Sequence, residues 1–193
     1  MAALTPMMQQ YVEVKEKYKD CILFYRIGDF YEMFFEDAIT ASKVLEITLT
    51  GKDCGQEERA PMCGVPYHAC DVYLNKLIEN GFKVAICEQV EDPKLAKGLV
   101  KRDVIRVVTP GTNMSQAILD ENTNNYLMSI YLSKDMSGVS VVDITTGEFK
   151  TCRISSIAKL ADEINKYSPS EIIGNDDFLN APLDFEYMKD RQK

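Results

Sequence analysis

Residues 21–32, Cys21-Ile22-Leu23-Phe24-Tyr25-Arg26-Ile27-Gly28-Asp29-Phe30-Tyr31-Glu32, join a run of strand composition to a Gly-Asp turn. If the chain stays extended after the turn, period-two alternation places Phe30 and Glu32 on one face and Tyr31 on the other. A flat apolar ring then stands beside one hydrogen-bond acceptor. Phe30 also opens the apolar segment that holds Met33, Phe34 and Phe35, where an ordinary core residue has the same appearance. On a DNA surface the pair has a distinct use. A Phe can be driven between base steps from the minor groove, whereas a carboxylate, repelled by phosphates, belongs there only to meet a base edge.

Outward from this stretch, Thr5-Pro6 reads as a helix start, with Met7, Tyr11, Val14 and Tyr18 at helical spacing. Strand-like segments are predicted near 21–27, 47–50, 82–90 and 104–108, with helical patterns near 37–46 and 68–80 between them. The alternation predicts a mixed α/β domain. Within 68–80, Cys70, Tyr73, Leu74, Leu77 and Ile78 form one apolar stripe, and Gly81 supplies a left-handed stop. Residues 112–124 lack periodicity and are rich in turn formers, so they are read as a linker between a domain at 1–111 and a second at 125–193.

The second segment has a different pattern. Residues 125–132, 138–145 and 148–154 read as three strands of a meander, joined by a loop at 133–137 and a tight Thr146-Gly147 turn. Ser155 can cap a helix whose Ile157, Leu160, Ala161, Ile164 and Tyr167 make an apolar face, ended by Ser168-Pro169 before a short strand at 171–173.

Composition bounds the function. The chain has 193 residues with 46% hydrophobic content, ample for a packed core. No basic stretch precedes an apolar one at the start, and no apolar run approaches the roughly 18 residues that span a bilayer, so a cytoplasmic protein without a membrane partner is expected. The six cysteines then read as reduced thiols. A net charge of −8 opposes binding to a polyanion, and both sides of residue 111 are net negative. The positive charge is clustered at Lys94, Lys97, Lys101, Arg102 and Arg106, which makes these residues candidate phosphate contacts. The same cluster fits a solvated rim.

Metal and nucleotide chemistry find little support. Cys63, His68 and Cys70, with Cys54 upstream, offer zinc-type ligands, but their spacing matches none of the common paired patterns. Thr50-Gly51-Lys52-Asp53 lacks the glycine loop and the magnesium-binding hydroxyl of a phosphate-binding loop. His68 is the lone histidine, with no nucleophile pattern around it, and reads as a first-turn helix residue. No catalytic residues, cofactor or metal are assigned to this chain.

Several motifs, in order, carry a resemblance. Thr5-Pro6-Met7-Met8-Gln9-Gln10-Tyr11 and Phe24 through Phe34 are joined by Pro61-Met62-Cys63-Gly64-Val65-Pro66-Tyr67-His68-Ala69, Val84-Ala85-Ile86-Cys87-Glu88-Gln89, Arg106-Val107-Val108-Thr109-Pro110-Gly111-Thr112 and Asp143-Ile144-Thr145-Thr146-Gly147-Glu148-Phe149. Together they resemble the amino-terminal part of the bacterial MutS family of DNA mismatch repair proteins. The resemblance implies a mismatch-recognition domain followed by the opening of a ribonuclease-H-like connector domain, so the chain is expected to be a fragment. It implies that Phe30 is a stacking wedge and Glu32 a base-contacting carboxylate, acting on duplex DNA with mispaired or unpaired bases.

It also implies that ATP and magnesium bind only in an ATPase domain beyond residue 193. Two subunits with clamp domains would encircle the duplex as a homodimer, and the connector would contact a MutL-like repair partner. A ribonuclease-H-like fold raises Asp143 and Glu148 as metal-binding carboxylates of a nuclease, which is the alternative of another class. A pure interaction scaffold is the third. Against the nuclease, both acids flank a hairpin turn, where carboxylates are ordinarily solvated, and the family's connector is not catalytic.

Overall fold

The computed structural model describes residues 3–91, 98–114, 124–134 and 136–181. The chain divides after Val108 into two compact units.

The first unit is a six-stranded mixed sheet with helices on both faces. Its elements are α1 (Pro6–Lys17), β1 (Cys21–Ile27), β2 (Phe30–Phe34), α2 (Phe35–Leu45), β3 (Thr50–Lys52), β4 (Ala60–Pro66), α3 (Cys70–Glu79), β5 (Lys83–Gln89) and β6 (Arg102–Val108), in sheet order β3-β4-β2-β1-β5-β6. Alternation along the strands divides the core. Cys21, Leu23 and Tyr25 of β1 pack towards α1 with Met8, Tyr11 and Val14. Ile22 and Phe24, with Tyr31 and Met33 of β2, pack towards α2 and α3 on Ala38, Ala41, Leu74 and Leu77. Central strands buried on both faces explain the near-continuous apolar reading of 21–25.

One buried ionic cluster ties α1, β1 and α2 together. The Asp37 carboxylate accepts from Leu23 N–H at 2.9 Å and pairs with Lys15 Nζ at 2.8 Å, while the Tyr11 hydroxyl lies 3.3 Å from both Asp37 Oδ2 and the Phe34 carbonyl. Burial, reinforced by the Asp37 charge, pushes the Tyr11 hydroxyl well above its usual range.

Two sequence expectations shift. The strand predicted near 47–50 forms at Thr50–Lys52, because α2 closes on a left-handed Glu46 whose turn carries an Ile47 N–H to Ser42 O bond of 3.1 Å. β4 was not predicted at all. Pro61 and Pro66 mask a strand whose partner residues run from Phe30 opposite Pro66 to Phe34 opposite Met62.

The second unit holds β7 (Tyr126–Leu132), β8 (Ser137–Asp143), β9 (Glu148–Ile154), α4 (Ile157–Tyr167), β10 (Glu171–Gly174) and a one-turn α5 (Asp176–Leu179). The first three strands form the predicted antiparallel meander, and β10 joins parallel to β7, giving the order β10-β7-β8-β9. The cap of α4 is Ser156, not Ser155, its hydroxyl accepting from Lys159 N–H. Met128, Ile130, Val139 and Val141 pack on Leu160 and Ile164, and Phe178 of α5 closes the same cluster. Thus residues 175–181 of the tail are folded onto the core, while 182–193 lie outside the described residues.

Thr109–Thr112 also pack in this second unit rather than the first. Glu171 accepts from Thr109 Oγ1 and from Gly111 N–H at 3.1 Å, and a Cβ on Gly111 would lie 2.8 Å from that of Glu171. Most of the linker read at 112–124 falls outside the described residues.

Candidate nucleic-acid interface

The β1–β2 hairpin turns through Gly28 and Asp29, with Ile27 opposite Phe30. Gly28 takes φ +54°, the left-handed conformation that a two-residue turn demands at its first central position and that glycine adopts without penalty. Extended pairing begins at once on the far side, so alternation acts as the sequence predicts. Tyr31 and Met33 point into the core, while Phe30 and Glu32 share the opposite face.

Phe30 is 48% exposed, although it is flanked by paired residues on both neighbouring strands. A large aromatic held on a rigid strand yet left in water fails the core expectation. Glu32 sits opposite Gly64, where a Cβ would meet Glu32 Cγ at an ordinary 3.5 Å. Its carboxylate Oε2 pairs with Lys52 Nζ, with 15% of the glutamate and 29% of the lysine side chain exposed. The Lys52 ammonium also lies 5.7 Å from the centre of the Phe34 ring.

A second aromatic adjoins the hairpin. Tyr67, in a short 3₁₀ turn at Tyr67–Ala69, donates its backbone N–H to Asp29 O at 3.0 Å, and its exposed ring carries the Arg26 guanidinium 3.7 Å from its centre. Arg26 Nη1 lies 3.6 Å from Glu88 Oε1, which also accepts from the Tyr31 hydroxyl. Burial and that carboxylate raise the Tyr31 hydroxyl far above its ordinary value. The aromatic–Arg–Glu layer braces the hairpin from the face opposite Phe30.

The predicted basic set separates. Lys101 and Arg106 are exposed. Arg102 is withdrawn from it. The side chain is buried, with Nε donating to Arg26 O at 2.7 Å, Nη1 to Val100 O at 2.9 Å and to Gln10 Oε1 at 3.1 Å, and the guanidinium 5.1 Å from the Tyr25 ring. These donors are spent on joining β6 to β1 and α1. Lys94 and Lys97 lie outside the described residues.

Lys52, Gly64 and Tyr67 complete the surroundings of the hairpin, and sequence reading missed all three roles. Tyr67 directly follows Pro66, the last residue of β4, a strand that residue order does not predict. No local signal marks Lys52, because its contact crosses from β3 to β2.

The residues raised for zinc and nuclease chemistry have other partners. Cys54 and Cys63 sit in core clusters on opposite faces of the sheet, and among the described residues no three His, Cys, Asp or Glu side chains converge as metal ligands. Burial pushes the Cys63 thiol up to about 12 and the Cys70 thiol up to about 11. Asp143 is fully buried and already saturated. It accepts from Thr145 N–H at 2.8 Å, Thr145 Oγ1 at 2.6 Å, Thr146 N–H at 3.3 Å and Asn125 N–H at 3.3 Å. Burial alone would raise its pKa, yet these bonds hold the carboxyl below its ordinary range. Glu148 accepts from the Tyr126 hydroxyl at 2.7 Å and pairs with Lys150 at 2.5 Å.

Comparison with known proteins gives the lineage. The family model for MutS domain I matches residues 5–117 and that for MutS domain II matches residues 125–192. The chain is 66% identical over 191 residues to the DNA mismatch repair protein MutS of Lachnoclostridium phytofermentans, covering 99% of this chain and 20% of that protein. It is 67% identical over 183 residues to its namesake in Acetivibrio thermocellus, covering 93% and 21%, and 61% identical over 180 residues to that of Caldanaerobacter subterraneus, covering 92% and 21%. The chain thus spans about a fifth of the length of the relatives it matches. With both domain models matched in order along one polypeptide, the chain belongs to the MutS family.

Proposed function

We propose that this chain reads mispaired or unpaired bases in duplex DNA, with Phe30 entering the stack as a wedge and Glu32 meeting the exposed base edge. The observation that carries this reading is the exposure of Phe30 on a fixed strand, with a carboxylate two residues on along the same face. Inserting an aromatic wedge costs a few kcal/mol of unstacking and kinking at any step, and the cost falls where pairing is already defective. Stacking on a base returns about 1 to 3 kcal/mol, a magnitude taken from single-strand binders, so insertion is offset more readily at a mismatch than at a matched pair. Glu32 accepts from a base N–H where one is presented and adds repulsion where none is.

Lys101 and Arg106 are the exposed basic residues of β6 and its approach that could meet phosphates. With a net charge of −8, the chain alone binds weakly and with strong salt dependence. The remainder of the family reading extends to the longer protein. That protein would be a cytoplasmic homodimer with an ATPase using ATP and magnesium, and a MutL-like partner would be met through the second unit, which itself carries no enzyme chemistry. Among the described residues no helix is long and apolar enough to cross a membrane.

Fluorescence anisotropy of matched, G·T and unpaired-thymine duplexes at low salt tests the reading. Mismatch preference is expected in the unaltered chain and lost in Phe30→Ala. Retention of the preference in that variant would refute the wedge.

A further inference from the structure

We infer that Lys52 is a positioning residue for the base-reading carboxylate: it holds Glu32 Oε2 in a charge-neutral pair and leaves Oε1 to face the base. The inference rests on the reading of Phe30 and Glu32 given above. A bare carboxylate meets phosphate repulsion in any DNA groove and meets most of it where an inserted Phe30 has brought the strand deepest into the duplex, so an unneutralised Glu32 would weigh most against the mismatched complex. Lys52 removes that penalty without consuming the group. Among the described residues Oε2 takes the ammonium and Oε1 accepts no hydrogen bond.

The arrangement is built by the sheet. Lys52 lies on edge strand β3, registered by pairs to Met62 and Ala60, and its side chain crosses the Phe34 ring to reach β2. Both partners are partly exposed, and the pair is screened less than one on an open surface. An independent phosphate contact would need the Lys52 ammonium turned away from Glu32, and the structure turns it inward.

The test measures the ratio of mismatch to matched affinity in the chain carrying Lys52→Met, Lys52→Gln or Lys52→Arg, each with Glu32 present or replaced in Glu32→Gln, alongside Phe30→Ala. Lys52→Met and Lys52→Gln are expected to lower the ratio about fivefold and Lys52→Arg to restore it. In the Glu32→Gln background, Lys52→Met is expected to leave the ratio unchanged. Equal weakening of matched and mismatched binding in both backgrounds, with the salt slope reduced by about 1, would instead make Lys52 a plain phosphate contact and overturn the inference. A ratio that rises in Lys52→Met overturns it too. If Phe30→Ala abolishes the preference while Lys52→Met leaves the ratio untouched, only the Lys52 inference falls. If the unaltered chain shows no preference, or Phe30→Ala retains it, the recognition reading falls and takes the inference with it.

Discussion

Two hairpins in this protein start from the same materials and end in opposite places. The β1–β2 turn and the β8–β9 turn each carry a glycine with positive φ, +54° at Gly28 and +75° at Gly147, and each has carboxylates within a few residues. In the β8–β9 hairpin the turn folds back onto Asp143 and gives its oxygens three hydrogen bonds, and Asn125 N–H supplies a fourth. In the β1–β2 hairpin the strand continues straight past the turn, and Glu32 is engaged through one oxygen by one lysine. The position of an acid near a turn therefore says little about its use. What decides is how much acceptor capacity the fold leaves over.

The sharpest way to break the contrast is Asp143→Ala. Removing a buried acceptor strands several donors, and the second unit should lose about 3 kcal/mol, read by hydrogen exchange in β7, β8 and β9. A loss below about 1 kcal/mol would show that Asp143 is no anchor.

Acid should act on the same hairpin. The Asp143 carboxyl sits below its ordinary value of 3.8, so the folded unit binds fewer protons than the unfolded chain near that pH. Its contribution is complete above the ordinary range and disappears as pH falls through the lower folded value. Thermal unfolding between pH 5 and 2 should show this acid limb flattened in Asp143→Asn.

Smaller effects test the turns themselves. A Cβ on Gly28 or Gly147 meets nothing within 4 Å, so alanine there pays for backbone conformation alone. Each substitution should cost about 1 kcal/mol in chemical denaturation; a much larger cost at Gly28 would mean that the hairpin carries strain the other does not. Smallest of all is Glu32→Gln, expected to change folding stability by under about 1 kcal/mol because a partly exposed pair contributes little. Destabilisation on the scale of Asp143→Ala would place Glu32 among structural anchors and erase the difference between the hairpins.

Much of this was legible in residue order. The period-two reading of Phe30, Tyr31 and Glu32 held because the strand resumes immediately after Asp29, and the meander at 126–154 followed from alternation and a Gly turn. What escaped depends on partners distant in sequence. Arg102 looked like one more member of a basic run, yet a carbonyl from β1 and an amide from α1 turn it inward. Lys52 stood in a motif judged only as a failed phosphate loop, and its partner lies two strands away. β4 was hidden because prolines at its edges outweigh, in a local reading, the ladder that Tyr31 to Phe34 offer it.

The centre of the first unit is the parallel pairing of residues 21–25 with 83–87. The β1–β2 hairpin closes between near neighbours, but that parallel pairing must bring together segments separated by two α-helices and three strands, a slow search by the measure of contact order. A nascent chain can therefore own the hairpin before it owns the platform. Until β5 docks, Arg26 lacks Glu88, Tyr31 lacks its acceptor, and Phe30 is one more exposed aromatic with the hazards of any other. Under the proposed reading, competence to read DNA waits on that long-range pairing rather than on the hairpin that carries Phe30 and Glu32.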